Sequence, residues 1–90
     1  MNIISIIEAR MGSKRLPGKV MLKVNKKPMI QHLVERINKV KEIKEVVVAT
    51  TTNKKDDTLV NFCQKKKISF FRGSEKNVVK RIHEASKKFK

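Results

Sequence analysis

A short apolar strand followed by a glycine-containing basic loop is the feature that most constrains this chain. Residues 3–7 form a nearly continuous apolar run, which is typical of a β-strand covered on both faces. Residues 8–19 then contain two glycines, four basic side chains and one serine. Glycine permits positive φ and close backbone approach, and arginine can hold a phosphate through two parallel hydrogen bonds. The pattern predicts a loop that binds a polyanion, and a nucleoside triphosphate is the ligand that we expect.

Strand and helix patterns alternate along the rest of the chain. The predicted elements are strand 3–7, an extended piece at 20–24, helix 28–41, strand 45–51, a helix after Asp57, strand 68–71 and helix 78–89. The order β-α-β-α-β-α is typical of an α/β fold in which helices cover a parallel sheet. Ninety residues suffice for one domain, and we find no boundary or linker within residues 1–90.

The carboxyl edge of this sheet is the expected ligand site. Parallel α/β sheets bind ligands beyond the carboxyl ends of their strands. Three segments follow predicted strands and should meet there, namely residues 8–19, 50–55 and 72–76. Gly73 and Ser74 are predicted to form a turn in the last of these segments. This convergence indicates that the basic loop is part of a ligand-binding site.

Two acidic residues and two histidines also need an interpretation. Asp56 and Asp57 could form a metal pair, but a cap for the following helix is favoured, because aspartate side chains commonly accept hydrogen bonds from the first helical turn. His32 and His83 lie in helical patterns and are not expected to act as ligands or bases. The apolar face predicted for the last helix consists of Val78, Val79, Ile82, Ala85 and Phe89.

Net charge leaves a second function open. There are 23 Lys and Arg against 8 Asp and Glu, a formal charge of +15, which would attract nucleic acid or another polyanion. A basic, non-catalytic module that binds a polyanion is therefore the alternative. The lysines are spread along the chain, however, and four Phe without Tyr or Trp supply no set of stacking platforms, so nucleic acid is a disfavoured partner.

Cysteine usage and hydropathy favour a cytoplasmic protein. The single Cys63 allows no internal disulfide and is expected to be a small buried apolar residue. No apolar run approaches the length of a membrane span, and basic residues follow rather than precede the N-terminal apolar run, unlike in a signal peptide.

The first strand poses a problem of its own. A strand as apolar as residues 3–7 belongs inside a sheet, yet three strands leave one of its edges unpaired. We therefore expect either self-association through this edge or a chain that is the N-terminal part of a larger α/β domain.

The same segments resemble the sugar cytidylyltransferase superfamily, in particular the spore coat polysaccharide biosynthesis and acylneuraminate cytidylyltransferase type. The resemblance runs over the whole chain: Ala9-Arg-Met-Gly-Ser-Lys-Arg-Leu-Pro-Gly-Lys-Val20, Lys27-Pro-Met-Ile30, Glu35-Arg36, Val47-Val-Ala-Thr-Thr51, Asp56-Asp57 and Phe71-Arg-Gly-Ser-Glu-Lys-Asn-Val-Val-Lys-Arg81. It implies the N-terminal half of a nucleotide-diphospho-sugar transferase fold, with a Rossmann-like sheet. It also implies a cytoplasmic enzyme that transfers CMP from CTP to a sugar acid for surface polysaccharides and releases pyrophosphate.

The resemblance also implies roles for individual residues. Arg10 and Lys19 are the expected catalytic residues, since they would hold the triphosphate and Lys19 would neutralise charge on the transferring phosphate. The nucleotide-binding set implied by the family is Ala9, Arg10, Gly12, Ser13, Arg15, Lys19, Thr50, Thr51, Gly73 and Ser74. Mg²⁺ is the expected cofactor, but the family's metal-binding Asp follows the third helix and no residue here matches it. The ninety residues are therefore expected to be truncated and inactive alone.

Overall fold

Three parallel strands form the main sheet. The computed structural model describes residues 3–12 and 18–89. The strands are β1 Ile3–Glu8, β2 Lys23–Val24, β3 Lys27–Pro28, β4 Ile43–Thr51 and β5 Ser69–Gly73, and the helices are α1 Met29–Asn38, α2 Asp57–Lys66 and α3 Val78–Lys88. β1, β4 and β5 pair in that order, both pairs parallel. The predicted α/β fold with a parallel sheet is confirmed.

β4 is the central strand of this sheet. Its β-branched run is buried completely, with Val47, Val48 and Ala49 at 0 % exposure, as expected for a strand that has a neighbour on each edge and a helix layer on each face. Glu8 pairs with Ala49, and Gly73 pairs with Thr51, so the three strands end close to the same edge. This register brings the segments that follow the strands together.

Helices cover both faces of the sheet. Residues of α1 and α2, among them Val34 and Leu59, pack with Val48 in one buried cluster. α3 contacts all three parallel strands, and its Arg81 pairs with Glu8, which points to the face opposite Ile7 because side chains alternate along a strand. Cys63 lies in the first cluster and is fully buried, as predicted; burial raises the pKa of its thiol to about 11.

The segment between the basic loop and α1 differs from the prediction. Residues 19–21 form a 3-10 turn, and β2 and β3 pair as an antiparallel hairpin rather than one extended piece. The hairpin turn places Asn25 and Lys26 at φ 51° and 68°, the left-handed pair that a two-residue hairpin requires. Lysine is not a typical residue for this conformation, so the sequence gives little indication of the turn.

Two predicted helices also needed correction. α1 ends at Asn38, not near Lys41, because the Val40 N–H donates to the Ile37 carbonyl oxygen in a tighter turn that leads into β4. Val40 itself is 46 % exposed. In α3 the buried residues are Arg81 and Ala85, whereas Val79 of the predicted apolar face is 79 % exposed. The helix is amphipathic, but an arginine occupies the side that packs on the sheet.

β1 lies at the edge of the sheet, with β4 on one side. Ile3 is 41 % exposed on it, and an apolar cavity of about 280 Å³ lies between β1 and α1, lined among others by Ile7, Met29 and Leu33. Among residues 3–12 and 18–89, β1 thus has the unpaired edge that was expected for the first strand. Within residues 3–12 and 18–89, no helix combines the length and apolar character needed to cross a bilayer.

Candidate functional site

The basic loop begins where β1 ends and is closed at its base by one backbone hydrogen bond. The Gly18 N–H donates to the Met11 carbonyl oxygen at 2.9 Å. Gly18 has φ +76°, a conformation that favours glycine, and it turns the chain into the 3-10 segment that starts at Lys19. The two ends of the loop are therefore held side by side. Of the nucleotide-binding residues implied by the family, Ser13 and Arg15 lie outside the described residues.

The loop closure brings Arg10 and Lys19 to the same concave surface. A cavity of about 300 Å³ is lined by Glu8, Ala9, Arg10, Lys19 and Val20. Arg10 is half-buried and Lys19 is exposed. Two positive charges beside one cavity attract a polyanion, and the +15 charge of the whole chain adds to the long-range attraction.

The backbone amides of the loop base are already used by the protein. The Ala9 N–H donates to the Ala49 carbonyl oxygen at 3.0 Å, the Met11 N–H to Asp56 Oδ1 at 2.6 Å, and the Gly18 N–H to Met11. These three amides are not available to a phosphate. An anion bound here would therefore be held by the side chains of Arg10 and Lys19 and by amides other than these three.

Asp56 does not have the role predicted for it. It precedes α2, but its side chain makes no hydrogen bond to the helix. One carboxylate oxygen accepts from Met11 N–H, and the other accepts from the Thr51 hydroxyl. Asn53 caps the 3-10 turn at residues 54–56 that leads into α2, and its side chain accepts from Lys55 N–H at 2.8 Å. The capping prediction was wrong because Asp56 is 2 % exposed and its carboxylate is bonded to β4 and the loop, while Asp57 is the first residue of α2.

The residues predicted from the other two strands lie at the same sheet edge but not on the wall of this cavity. Thr50 and Thr51 are buried at the end of β4, at 0 % and 1 % exposure, and Thr51 is bonded to Asp56. Gly73 is the last residue of β5 and is also buried, so the predicted turn begins after it. A Cβ at Gly73 would lie 2.8 Å from the Phe71 ring and 3.2 Å from Arg81 Cγ. Glycine is therefore required here for packing against α3.

Arg81 connects the ends of β1 and β5 and was not predicted. Its side chain is fully buried, pairs with Glu8, and donates from Nη1 to the Ser74 carbonyl oxygen at 2.6 Å. It therefore links β1, the segment after β5 and α3. A charged residue between apolar helical positions was the sequence signal for it, but the same pattern fits a solvated arginine equally well.

The acidic residues near the site do not form a metal centre. Among residues 3–12 and 18–89, no group of three or more His, Cys, Asp and Glu could hold a metal ion. Glu8 is paired with Arg81, Asp56 accepts two hydrogen bonds, and Asp57 lies 2.8 Å from Arg72. The residues outside these ranges contain no Asp or Glu. The three carboxylates closest to the loop are therefore each bonded to protein donors.

The sequence matches one protein family over nearly its whole length. The cytidylyltransferase family model matches residues 4–90. The spore coat polysaccharide biosynthesis protein SpsF of Bacillus subtilis is 39 % identical over 85 residues, which cover 90 % of this chain and 35 % of that protein.

Solved structures show the same similarity. A cytidylyltransferase from Leptospira borgpetersenii superposes with a TM-score of 0.87 at 36 % identity, over 98 % of this chain and 37 % of that one. A CMP:2-keto-3-deoxy-manno-octonic acid synthetase, solved in complex with CTP, superposes with a TM-score of 0.77 at 34 % identity, over 97 % and 35 %. The chain thus spans about a third of the length of these relatives.

Proposed function

This chain belongs to the cytidylyltransferase family, and from that premise we propose that it is the CTP-binding N-terminal part of a sugar cytidylyltransferase. The reaction that we propose for the complete enzyme transfers CMP from CTP to a sugar acid used in surface polysaccharides. An oxygen of the sugar bonds to the α-phosphorus of CTP, the bond from that phosphorus to the α–β bridging oxygen breaks, and pyrophosphate leaves. We place this reaction in the cytoplasm.

The observation that carries the proposal is the shared cavity of Arg10 and Lys19 at the end of β1. Nucleotidyl transfer needs positioning and compensation of phosphate charge more than covalent chemistry from the protein. Two cations at one cavity supply both, because they hold the triphosphate and stabilise the negative charge that develops on the leaving pyrophosphate. The CTP complex of the structurally similar synthetase supports the choice of nucleotide.

The proposed metal ligand lies outside this chain. Mg²⁺ usually keeps phosphate oxygens and one or two carboxylates as ligands, and the three carboxylates closest to the loop are bonded to protein donors. Among residues 3–12 and 18–89 we assign no residue to the sugar site. We therefore propose that the chain binds the nucleotide and does not complete the reaction alone.

We expect the 90-residue chain to bind CTP more tightly than ATP at equal salt, because a pocket distinguishes the bases and a diffuse positive field does not. Isothermal titration calorimetry at two salt concentrations measures this, and a coupled pyrophosphate assay with Mg²⁺ is expected to show no turnover. Equal affinity for CTP and ATP would contradict the pocket, and clear release of pyrophosphate would contradict the inactivity.

The alternative function, a non-catalytic module that binds polyanions, has no support among the similar proteins. Its signature would be binding to any DNA or RNA sequence with an affinity that falls steeply as salt rises, because counterion release drives such binding. The same calorimetry with an unrelated oligonucleotide distinguishes it from nucleotide binding.

We also propose that copies of the chain associate through the open edge of β1. The edge exposes Ile3, and an apolar cavity lies beside it; an exposed edge of this kind is a template for strand pairing. Size-exclusion chromatography with light scattering is expected to show species larger than the 10.4 kDa monomer. Ile3→Lys should shift them to monomers, whereas Val79→Lys on α3 should not. A monomeric unmutated chain would refute this proposal.

A further inference from the structure

Asp56 is a buried carboxylate that joins two segments far apart in the chain. It follows β4, yet it accepts a 2.6 Å hydrogen bond from the backbone of Met11, 45 residues earlier. Its second oxygen accepts from the Thr51 hydroxyl, which in turn accepts from the Asn53 N–H at 3.1 Å. A carboxylate at 2 % exposure with donors on both oxygens is held in one orientation.

Met11 is the residue on which the basic loop closes. Its N–H is held by Asp56, and its carbonyl oxygen accepts from the Gly18 N–H. Arg10 precedes Met11 directly, and Lys19 follows Gly18 directly. The position of the Met11 peptide therefore determines where the backbones of Arg10 and Lys19 lie beside the cavity.

From this connection we infer that Asp56 is a positioning residue for the candidate nucleotide site, which deepens the proposed function and rests on it. The carboxylate anchors the loop to the end of β4 and so sets the separation of Arg10 and Lys19 across the cavity. It does not contact the nucleotide. Without the Asp56 carboxylate, the Met11 amide loses its acceptor, and the separation of Arg10 and Lys19 is no longer fixed.

Methionine labelling isolates this contact. The chain has four methionines, and ¹⁵N-methionine reports the backbone amides of Met11, Met21 and Met29. The Met29 amide donates to the Leu22 carbonyl oxygen, away from the loop closure, and serves as an internal control for the fold, whereas the Met21 amide donates to Gly18 and reports on the closure itself. In Asp56→Ala we expect the Met11 signal to shift and its hydrogen exchange to accelerate at least tenfold, while the Met29 signal stays in place.

Nucleotide affinity provides the second readout. Asp56→Ala is expected to weaken CTP binding about tenfold, because CTP must then order a loop that has lost one charge-assisted hydrogen bond to β4. Asp56→Asn keeps an oxygen that can accept from Met11 N–H and should restore most of the affinity and of the Met11 protection; it also decides the matter if the alanine variant does not fold. Asp57→Asn removes the same charge at the adjacent, exposed position and should leave Met11 unchanged.

Two results would overturn the inference. One is unchanged Met11 exchange in Asp56→Ala, and the other is accelerated exchange with unchanged CTP affinity. If the unmutated chain binds no CTP, the proposed function fails by itself, and Met11 exchange still decides whether Asp56 anchors the loop.

Discussion

Replacing Glu8 with Ala is expected to lower the free energy of unfolding by about 3 kcal/mol, because it leaves the buried Arg81 guanidinium without its counter-charge. Arg81 has no exposed side-chain surface, whereas 35 % of the Glu8 side chain reaches solvent. Within the part of the chain that the structure describes, only the Ser74 carbonyl oxygen would remain as a hydrogen-bond partner for the arginine. A chain of this length has a small stability margin, so urea unfolding followed by circular dichroism should resolve the change easily.

Replacing Arg81, the other member of the pair, should lower the free energy of unfolding much less. Arg81→Met fills a similar volume without a charge, and the carboxylate of Glu8 can be hydrated, so we expect a loss of about 1 kcal/mol. The double variant should be more stable than Glu8→Ala alone, since the unpaired charge is gone. Glu42→Ala, an exposed control in the turn before β4, should stay within about 0.5 kcal/mol of the unmutated chain. A larger loss for Arg81→Met than for Glu8→Ala would contradict this account of the pair.

Arg10→Ala and Lys19→Ala are each expected to weaken CTP binding by about 1–3 kcal/mol, the range for losing one charge-assisted hydrogen bond. This corresponds to a decrease in affinity of roughly five- to 150-fold. The reason is that both side chains line the same cavity at the end of β1, while the amides of Ala9, Met11 and Gly18 are bonded within the protein and cannot compensate. Isothermal titration calorimetry of each variant against CTP measures the effect.

A lysine of the hairpin is the matched control for these two variants. Lys23→Ala removes the same charge from an exposed position on β2, outside the cavity lining. It should change CTP affinity by less than twofold at moderate salt, because an exposed charge that does not line the cavity is screened by salt. If neither Arg10→Ala nor Lys19→Ala differs from Lys23→Ala, the site has been assigned to the wrong residues.

The fold could be predicted from the sequence where it depends on patterns of neighbouring residues. The β-branched run of β4 and the apolar run of β1 identify strands that are buried on both faces, and their alternation with helices implies a parallel sheet. The helix boundaries and the hairpin were harder to predict from the sequence. Val40 continues a helical pattern yet lies outside α1, and the hairpin turn uses a lysine at positive φ.

The candidate site was predictable in part for the same reason. Arg10 and Lys19 stand out because they flank glycine in a loop that follows a buried strand. Asp56 did not stand out as a loop anchor, since an aspartate before a helix is typical of a cap. Arg81 did not stand out either, because a helical arginine is exposed in most proteins.

The sequence by itself determined the order of the strands and helices, the parallel sheet and the basic loop at its carboxyl edge, because each depends on residues that are neighbours along the chain. Only the tertiary structure decided what the buried charges do. Asp56 meets Met11 across 45 residues, and Arg81 meets Glu8 across 73. Periodicity reports which face of a helix or strand is apolar, but the partner of a buried polar group depends on which distant segments the packing brings together.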